Sequence, residues 1–257
     1  MASIAQPGRP TAVGDERFFM TAAILMALVI VAGFGLNLAM GRSSFAVPWT
    51  VHLHAFVFFG WTAIYVTQNA LVATGRVDVH RRLGKLAAVW VPAMIVIGLY
   101  MSTRSVRLGA VPFFFEPGYF LFMTSLTLFS FTGLVIAAVV NRRRTEWHRR
   151  LMFCSMAMLT SPGWGRLLPM PLFIPWASWA SFGATLLFPI AGMIADLKRK
   201  GRIHPAWWWG MGIMVATELL VHIVTNSAPG LSIYQLVTEG TPGAAVAPNA
   251  YPPPPVG

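Results

Sequence analysis

The chain has 257 residues, of which 56% are hydrophobic and 11% are charged, and its formal net charge is +11. A soluble domain carries about 25% charged residues, so this composition excludes an ordinary soluble protein and indicates that lipid surrounds most of the chain. A basic soluble chain would suggest a nucleic-acid partner. Here the Lys and Arg residues cluster in alternate loops between apolar runs, which the positive-inside rule explains without nucleic acid. We expect the lipid bilayer as the main partner, with anionic lipid headgroups at the cytoplasmic face.

Seven segments are apolar enough, or nearly so, to form membrane-spanning helices, which need roughly 20 residues each. In chain order they are 18–40, 51–74, 86–102, 119–140, 150–169, 177–195 and 206–225. The first is longer than the apolar core of a signal peptide, about 7–15 residues, so we expect it to be retained as a helix. The fifth contains Pro162, Gly163, Gly165 and Arg166. Irregular backbone at membrane depth needs cover from protein or water, so we expect this segment inside the bundle.

The predicted fold is therefore all-α, a polytopic bundle of seven transmembrane helices over residues 18–225. Residues 1–17 are expected to form a cytoplasmic N-terminal tail. Residues 226–257 include the run Tyr251-Pro252-Pro253-Pro254-Pro255. Because such a run favours polyproline II and buries no core, we expect an external Pro-rich tail there.

Three basic clusters follow the second, fourth and sixth segments, whereas the intervening loops carry few Lys or Arg residues. Their members are Arg76, Arg81, Arg82 and Lys85; Arg142, Arg143, Arg144, Arg149 and Arg150; and Lys198, Arg199, Lys200 and Arg202. The positive-inside rule places these clusters in the cytoplasm. We therefore expect a protein of the bacterial inner membrane, with its N-terminus inside and its C-terminus outside. The clusters also divide the helices into three hairpins with one helix added, and Trp207 to Trp209 are expected in an inner aromatic belt.

Four costly polar side chains are expected in the outer half of the membrane: His54, Arg166, Glu218 and His222. At a rise of 1.5 Å per residue, His54 and His222 lie about 5 Å below the outer boundary, Glu218 about 10 Å below it, and Arg166 about 24 Å above the inner one. His54 shares a helical face with Gln68, and Glu218 shares one with His222. We expect both faces to point into the bundle.

Three interpretations of this polar group stay open. In the first, Arg166 and Glu218 form a buried ion pair to which both histidines hydrogen-bond. In the second, His54 and His222 are axial ligands of haem b, with Arg166 on a propionate, or they bind a transition metal together with Glu218. In the third, Glu218 and His222 form part of a proton path.

Three further histidines, His80, His148 and His204, each stand just before a predicted helix on the basic side. They are interpreted either as interfacial anchors beside snorkelling Arg and Lys side chains, or as a second histidine-ligated centre or a binding region for anionic headgroups. Asp78 and Glu146 stand two residues before His80 and His148. They either orient these imidazoles or cap the following helices.

No other chemical motif stands out. The sequence contains no Gly-rich phosphate loop, Gly-x-Ser-x-Gly elbow or His-Glu-x-x-His run. Its one cysteine, Cys154, excludes an intrachain disulfide and a cysteine-ligated zinc or iron–sulfur centre within one chain. The sequence therefore assigns no catalytic residue and leaves enzymatic activity open.

Two short segments carry a resemblance to known proteins. His80-Arg81-Arg82-Leu83-Gly84 resembles the His-Arg-x-Leu-Gly segment of uncharacterised bacterial multi-pass membrane proteins. His148-Arg149-Arg150-Leu151-Met152 resembles a segment of small membrane proteins linked to cytochrome oxidase assembly. The paired intramembrane histidines are more remotely similar to cytochrome b561-type bundles, which implies haem and electron transfer. The chain departs from that pattern, because its candidate ligands lie on the second and seventh segments and not as two pairs on four consecutive helices.

The hypothesis from the sequence is an integral membrane protein for redox chemistry or assembly, with haem or a metal bound by His54 and His222 and supported by Glu218 and Arg166. The alternative is a non-enzymatic transporter, channel or accessory subunit of a membrane complex. In that alternative Glu218 and His222 relay protons or pack helices.

Overall fold

The computed structural model of the protein describes residues 11–254. Within this range the chain forms ten α-helices, two short 3₁₀ turns (Met170–Phe173 and Pro242–Ala245) and no β-strand. The helices are α1 Thr11–Ala39, α2 Trp49–Ala73, α3 Val77–Gly84, α4 Ala87–Arg107, α5 Pro117–Val140, α6 Thr145–Met158, α7 Ser161–Leu167, α8 Ala177–Lys200, α9 Pro205–Thr225 and α10 Ala228–Thr238. Six of them, α1, α2, α4, α5, α8 and α9, are long and apolar enough to cross a membrane, which confirms the predicted helical membrane bundle.

The fifth predicted segment, 150–169, is not a continuous helix. α6 ends at Met158 and α7 begins at Ser161, and neither is among the six candidate spans. Pro162 explains the break, because proline has no backbone N–H to donate to the carbonyl of Met158 four residues earlier. The described residues therefore contain six long apolar helices and one broken pair, where seven continuous spans were expected.

The broken pair follows α1 along the bundle. Arg149, near the start of α6, pairs with Asp15, near the start of α1. Farther along both, Gly163 of α7 lies against the α1 backbone, and a Cβ atom on Gly163 would come within 2.7 Å of the Val29 carbonyl oxygen. Gly33 of α1 faces Gly163 equally closely. The glycine that weakens the fifth segment as a helix thus allows two helices to touch.

The three basic clusters lie at the same end of the bundle, which we call the basic end and which is the end where α2, α5 and α8 finish. The rings of His80 and His148, 6.3 Å apart between centroids, join the first cluster to the second. Lys200 Nζ lies 2.7 Å from Glu146 and 2.7 Å from Asp15, which joins the third cluster to the second and to α1. The positive-inside prediction requires this common end. The side of the membrane on which it lies stays a prediction.

An ionic network closes the basic end. At its centre Arg150 of α6 pairs with Asp196 of α8, and both side chains are almost entirely buried. The indole N–H of Trp207 donates to Asp196 Oδ2 over 2.9 Å, and Trp207 is fully buried. The expectation of an aromatic belt is therefore wrong for Trp207, because its indole satisfies a buried carboxylate, whereas Trp208 and Trp209 are exposed.

Glu146 belongs to the same network. It pairs with Arg149, Arg150 and Lys200. Burial alone would raise the pKa of the Glu146 carboxyl, but hydrogen bonds from Arg149 and Lys200 and the charge of Arg150 lower this pKa to about 2. Glu146 is therefore an anion at neutral pH, and its carboxylate binds these cations.

The apolar core forms two clusters along the bundle. The larger one extends from the basic end through the middle and includes Met26, Met94, Phe131, Phe153 and Trp207. The smaller one lies at the opposite end and includes Val106, Phe115, Tyr119, Met170 and Tyr234. The opposite end therefore has a core of its own.

The structure describes residues 11–17 and 226–254 of the two predicted tails and differs from the prediction there, whereas residues 1–10 and 255–257 lie outside the described residues. α1 begins at Thr11, inside the predicted N-terminal tail, and Asp15 is buried. α10 lies inside the predicted C-terminal tail and packs on α4, α5 and α9, with Tyr234 only 2% exposed. The Gly118 N–H also donates to the Pro248 carbonyl over 2.9 Å. Apolar residues in α10 supply the burial that a Pro-rich tail lacks, so this part of the chain belongs to the fold.

Candidate functional site

The polar face of α9 points into the bundle, as the sequence predicts for Glu218 and His222. The two residues stand four apart, and Thr225 follows three residues later on the same face. Glu218 is 6% exposed and Thr225 is 2% exposed. A carboxyl group is therefore held inside one of the six candidate spans.

Two helices besides α9 supply the immediate surroundings of Glu218 and His222. The Tyr119 hydroxyl of α5 donates to Glu218 Oε1 over 2.8 Å. His222 Nε2 lies 3.3 Å from the same oxygen. The His222 ring stacks on Trp179 of α8, with centroids 4.7 Å apart and planes 4° apart, and it also contacts the ring of Tyr119 at 5.1 Å. These contacts hold the imidazole beside the carboxyl group.

A small cavity of about 30 Å³ adjoins Glu218. A cavity holds a water molecule once it offers about 10–15 Å³ to the water centre and has polar partners. Hydroxyl groups from four helices line this one: Tyr119, Thr127, Ser161, Ser178, Ser181, Thr185 and Thr217. The cavity therefore has both the room and the hydrogen-bonding groups for ordered water beside the carboxyl group.

The break between α6 and α7 contributes directly to this cavity. Met158, the last residue of α6, and Ser161, the first of α7, both line it. The Ser161 hydroxyl lies 3.0 Å from the Ser181 hydroxyl of α8. The interrupted backbone predicted from Pro162 thus borders water-sized space in the interior, which is where such backbone is tolerated in a membrane.

His54 and Arg166 lie in other surroundings. The His54 ring packs on Phe58, with centroids 4.5 Å apart. The Arg166 guanidinium lies over the Phe34 ring at 3.9 Å and donates to the Pro162 carbonyl over 2.8 Å. α2 packs chiefly on α1 and α4, whereas α9 packs chiefly on α5 and α6. The structure therefore does not bring His54 to the neighbours of His222.

Two of the three interpretations need correction. Arg166 takes part in no ion pair with Glu218, because α7 starts a new helix and directs this side chain to α1. The metal site from His54, Glu218 and His222 does not form, since residues 11–254 contain no group of three or more His, Cys, Asp or Glu side chains that could hold an ion. Haem ligation by His54 and His222 gains no support from this geometry. The third interpretation, a protonatable centre at Glu218 and His222, agrees with their proximity.

His80 and His148 do lie together at the basic end. His148 Nδ1 is 2.8 Å from the Ala138 carbonyl oxygen, so this nitrogen carries the hydrogen and donates. Burial, and then the proximity of His148, lower the pKa of His80. His80 Nδ1 and Gln68 Oε1 are buried without a hydrogen-bond partner. The two imidazoles therefore lie side by side at the basic end.

His204 has a different role from the other two. Its Nδ1 accepts a hydrogen bond from the Ala206 N–H over 3.1 Å, so its side chain caps the N-terminus of α9. Its ring stands edge-on to Trp147, with centroids 5.5 Å apart. Burial, followed by the charge of Arg150, lowers the pKa of His204. A neutral imidazole is the form that can accept this capping hydrogen bond.

Sequence reasoning missed Tyr119, Trp179 and the hydroxyl groups of the cavity. One signal for them is present: Ser178, Ser181 and Thr185 recur at helical spacing along one face of an otherwise apolar helix. Such small polar side chains face neighbouring helices in membrane bundles. Nothing in the local sequence around Tyr119 distinguishes it from the aromatic residues beside it.

Comparisons with known proteins assign no function to the site. No protein-family model, curated protein or solved structure matches the chain. The resemblances carried by the segments 80–84 and 148–152 therefore stay predictions. Function has to be inferred from the groups that the fold brings together.

Proposed function

We propose that the protein is a membrane transporter that moves protons through the site at Glu218, with Glu218 as the proton-binding group and His222 as its exchange partner. The single observation that carries this proposal is the environment of Glu218. It is a buried carboxyl group in a candidate span, next to a hydroxyl-lined cavity, and its partners are Tyr119 and His222. Ionisable groups in such positions mark proton paths in membrane proteins.

The charge balance favours a protonatable group over a structural ion pair. Within residues 14–254, neither Arg nor Lys lies within ion-pair distance of Glu218. Asp196, in contrast, is equally buried and is held by Arg150. A carboxylate with a permanent cation keeps its charge, whereas Glu218 can change its protonation without leaving a cation unpaired.

The surroundings suggest the route of the proton. The side chain of His222 is 30% exposed, whereas the side chain of Glu218 is 7% exposed. His222 therefore exchanges protons with the solvent at the opposite end of the bundle. Its imidazole passes these protons to the Glu218 carboxyl group. The cavity hydroxyls and the water they hold would continue the path past the break between α6 and α7. The ionic network around Arg150 closes the basic end in this conformation, so release there requires that network to open.

The topology that we propose includes the broken pair. α6 and α7 together form a seventh crossing over about residues 150–167, interrupted between them. Its support is that the pair contacts α1 near its start, at Asp15, and again near Gly33. The positive-inside rule then places the basic end in the cytoplasm of a bacterial inner membrane, with the C-terminal segment outside.

Proton flux in vesicles tests the proposal. The purified protein is reconstituted in liposomes containing a pH-sensitive dye, and a pH gradient with a compensating potassium flux is imposed. We expect dye response with the wild type and a response at the level of protein-free vesicles with Glu218→Gln. Glu239→Gln is the matched control, because Glu239 is an exposed carboxyl group in the C-terminal segment.

A second measurement tests whether the Glu218 carboxyl group itself takes up the proton, and equal circular dichroism spectra of the variants show that both are folded. Infrared difference spectra recorded across a pH titration should show a carboxyl band that Glu218→Gln removes and Glu239→Gln retains. Equal flux in wild type and Glu218→Gln, with both proteins folded, would show that Glu218 is a packing residue.

A further inference from the structure

A cavity of about 290 Å³ lies at the opposite end of the bundle, between the last turns of α4 and the start of the 3₁₀ turn Pro242–Ala245. Ligand pockets start at about 300 Å³, so its volume suits a small headgroup. Its lining is Tyr100, Thr103, Arg104, Arg107, Leu108, Thr241 and Pro242. We propose that this cavity binds the phosphate group of an anionic phospholipid.

The charge of the cavity favours an anion. Arg104 and Arg107 stand one turn apart on α4, and neither takes part in an ion pair within residues 14–254. The acidic residue of the C-terminal segment, Glu239, is exposed and is also outside every such pair. Arg149 and Arg150 at the basic end differ from them, since both are bound to carboxylates. An Arg pair without a carboxylate can donate N–H hydrogen bonds to the oxygens of a phosphate group.

One of the two arginines is already positioned. Arg107 Nη1 donates to the Val237 carbonyl of α10 over 3.0 Å, which leaves its other guanidinium N–H groups free. The Thr103 hydroxyl adds a neutral donor on one side of the cavity, whereas the Thr241 hydroxyl on the other side donates to the Thr238 carbonyl. Arg residues at a helix C-terminus also complement the helix dipole, which accounts for their charge but not for a cavity walled by a second segment.

The second wall is held firmly in place. Gly243, in the 3₁₀ turn, packs directly on the Val106 carbonyl of α4, and no side chain would fit between them. The Tyr234 hydroxyl donates to the Val246 carbonyl over 3.2 Å, which ties the turn to α10. The C-terminal segment, expected to be an external tail, thus builds one wall of the cavity.

The location of the cavity favours a lipid phosphate group over free phosphate. α4 is a candidate span, so its last turn lies at a membrane boundary. Leu108 and Tyr100 line the cavity and are each 47% exposed. They offer an apolar surface along which an acyl chain can continue from a headgroup bound by the arginines.

Native mass spectrometry of the whole purified protein tests this inference. The probes are phosphatidylglycerol, phosphatidylcholine and inorganic phosphate, each added at equal concentration to the delipidated protein. We expect phosphatidylglycerol to be retained about tenfold more than phosphatidylcholine, because both carry the phosphate group but the choline cation of phosphatidylcholine is repelled by the two arginines. Arg104→Gln should abolish this preference. Arg42→Gln should preserve it, because Arg42 is an exposed arginine in the loop after α1, at the same end of the bundle.

Two other outcomes of this experiment would overturn the lipid or the cavity. Binding of inorganic phosphate as tight as that of phosphatidylglycerol would overturn the lipid and leave an anion site. Equal retention in wild type and Arg104→Gln, with Thr103→Ala also without effect, would overturn the cavity as the site. Glu218→Gln should bind phosphatidylglycerol as the wild type does, so this inference and the proposed proton path can fail separately.

Discussion

Arg150 and Asp196 form a two-point ion pair inside the bundle. Arg150 Nη2 lies 2.6 Å from Asp196 Oδ1, and Arg150 Nε lies 2.9 Å from Oδ2. The exposed fractions of the two side chains are 0% and 1%. A guanidinium that meets a carboxylate at two points is among the strongest ion pairs, and removal of Asp196 would leave the buried Arg150 with Glu146 as its remaining carboxylate partner.

Asp196→Asn should destabilise the protein by about 1.5–3 kcal/mol, because Arg150 loses the carboxylate that it meets at two points and keeps Glu146 as its partner. Thermal unfolding in detergent, followed by intrinsic tryptophan fluorescence, measures the change. Asp78→Asn is the control, since Asp78 is an exposed carboxyl group at the same end, and it should change stability little. Similar unfolding of the two variants would mean that the pair does not hold α6 to α8.

Gly163→Ala should destabilise the protein by about 1–3 kcal/mol, because the added methyl group would meet the α1 backbone and force α7 away. Gly165→Ala is a matched control on the same short helix, where a Cβ atom meets nothing within 4 Å. That change should be neutral or slightly stabilising, because alanine favours helix over glycine. The midpoints of thermal unfolding of the two variants are compared. Equal midpoints would contradict the close contact between Gly163 and the α1 backbone.

Tyr234→Ala should destabilise the C-terminal segment by about 3 kcal/mol or more, because it removes a large buried side chain from the smaller core cluster. Leu236→Ala, two residues away on α10, is the control, since Leu236 is 71% exposed. Limited proteolysis of the intact protein measures the difference. Faster cleavage within residues 228–250 is expected for Tyr234→Ala alone, and rapid cleavage of the wild type there would support the free tail instead.

Lowering the pH should destabilise the basic end through His80. Burial and the proximity of His148 lower the pKa of His80 below its ordinary value of 6.5, so the unfolded chain takes up the proton more readily than the folded one. Stability from this group is therefore complete above pH 6.5 and declines as the pH falls below that value.

His80→Gln tests this sign directly. Its unfolding midpoint should fall less than that of the wild type between neutral and mildly acidic pH. His52→Gln is the comparison, because His52 is exposed, and it should keep the wild-type pH dependence. A His80→Gln protein with unchanged pH dependence would contradict a lowered pKa of His80 in the folded protein.

Particular residues show which features of the structure can be predicted from local sequence pattern. Pro162 and the glycines around it predicted irregular backbone inside the bundle, and the break at this place is confirmed. Glu218 and His222 were predicted to share an inward face, and they do, because two residues four apart on one helix have a geometry that the helix alone imposes. His54 was predicted beside His222, and the structure does not place it there, because that contact depends on which helices become neighbours.

The amino-acid sequence by itself determined that lipid surrounds most of the chain, where the six long apolar helices lie, and that the basic clusters share one end of the bundle. Each of these follows from properties that residues carry locally, namely hydropathy over about 20 positions and charge in the loops. Only the tertiary structure decided that Trp207 and Asp196 meet Arg150, that Tyr119 and Trp179 surround His222, and that α10 completes the opposite end. Lipid favours every apolar helix face almost equally, so the neighbours are selected by close packing at small residues and by pairing of buried polar groups. Those contacts join positions far apart in the chain, and no short segment specifies them.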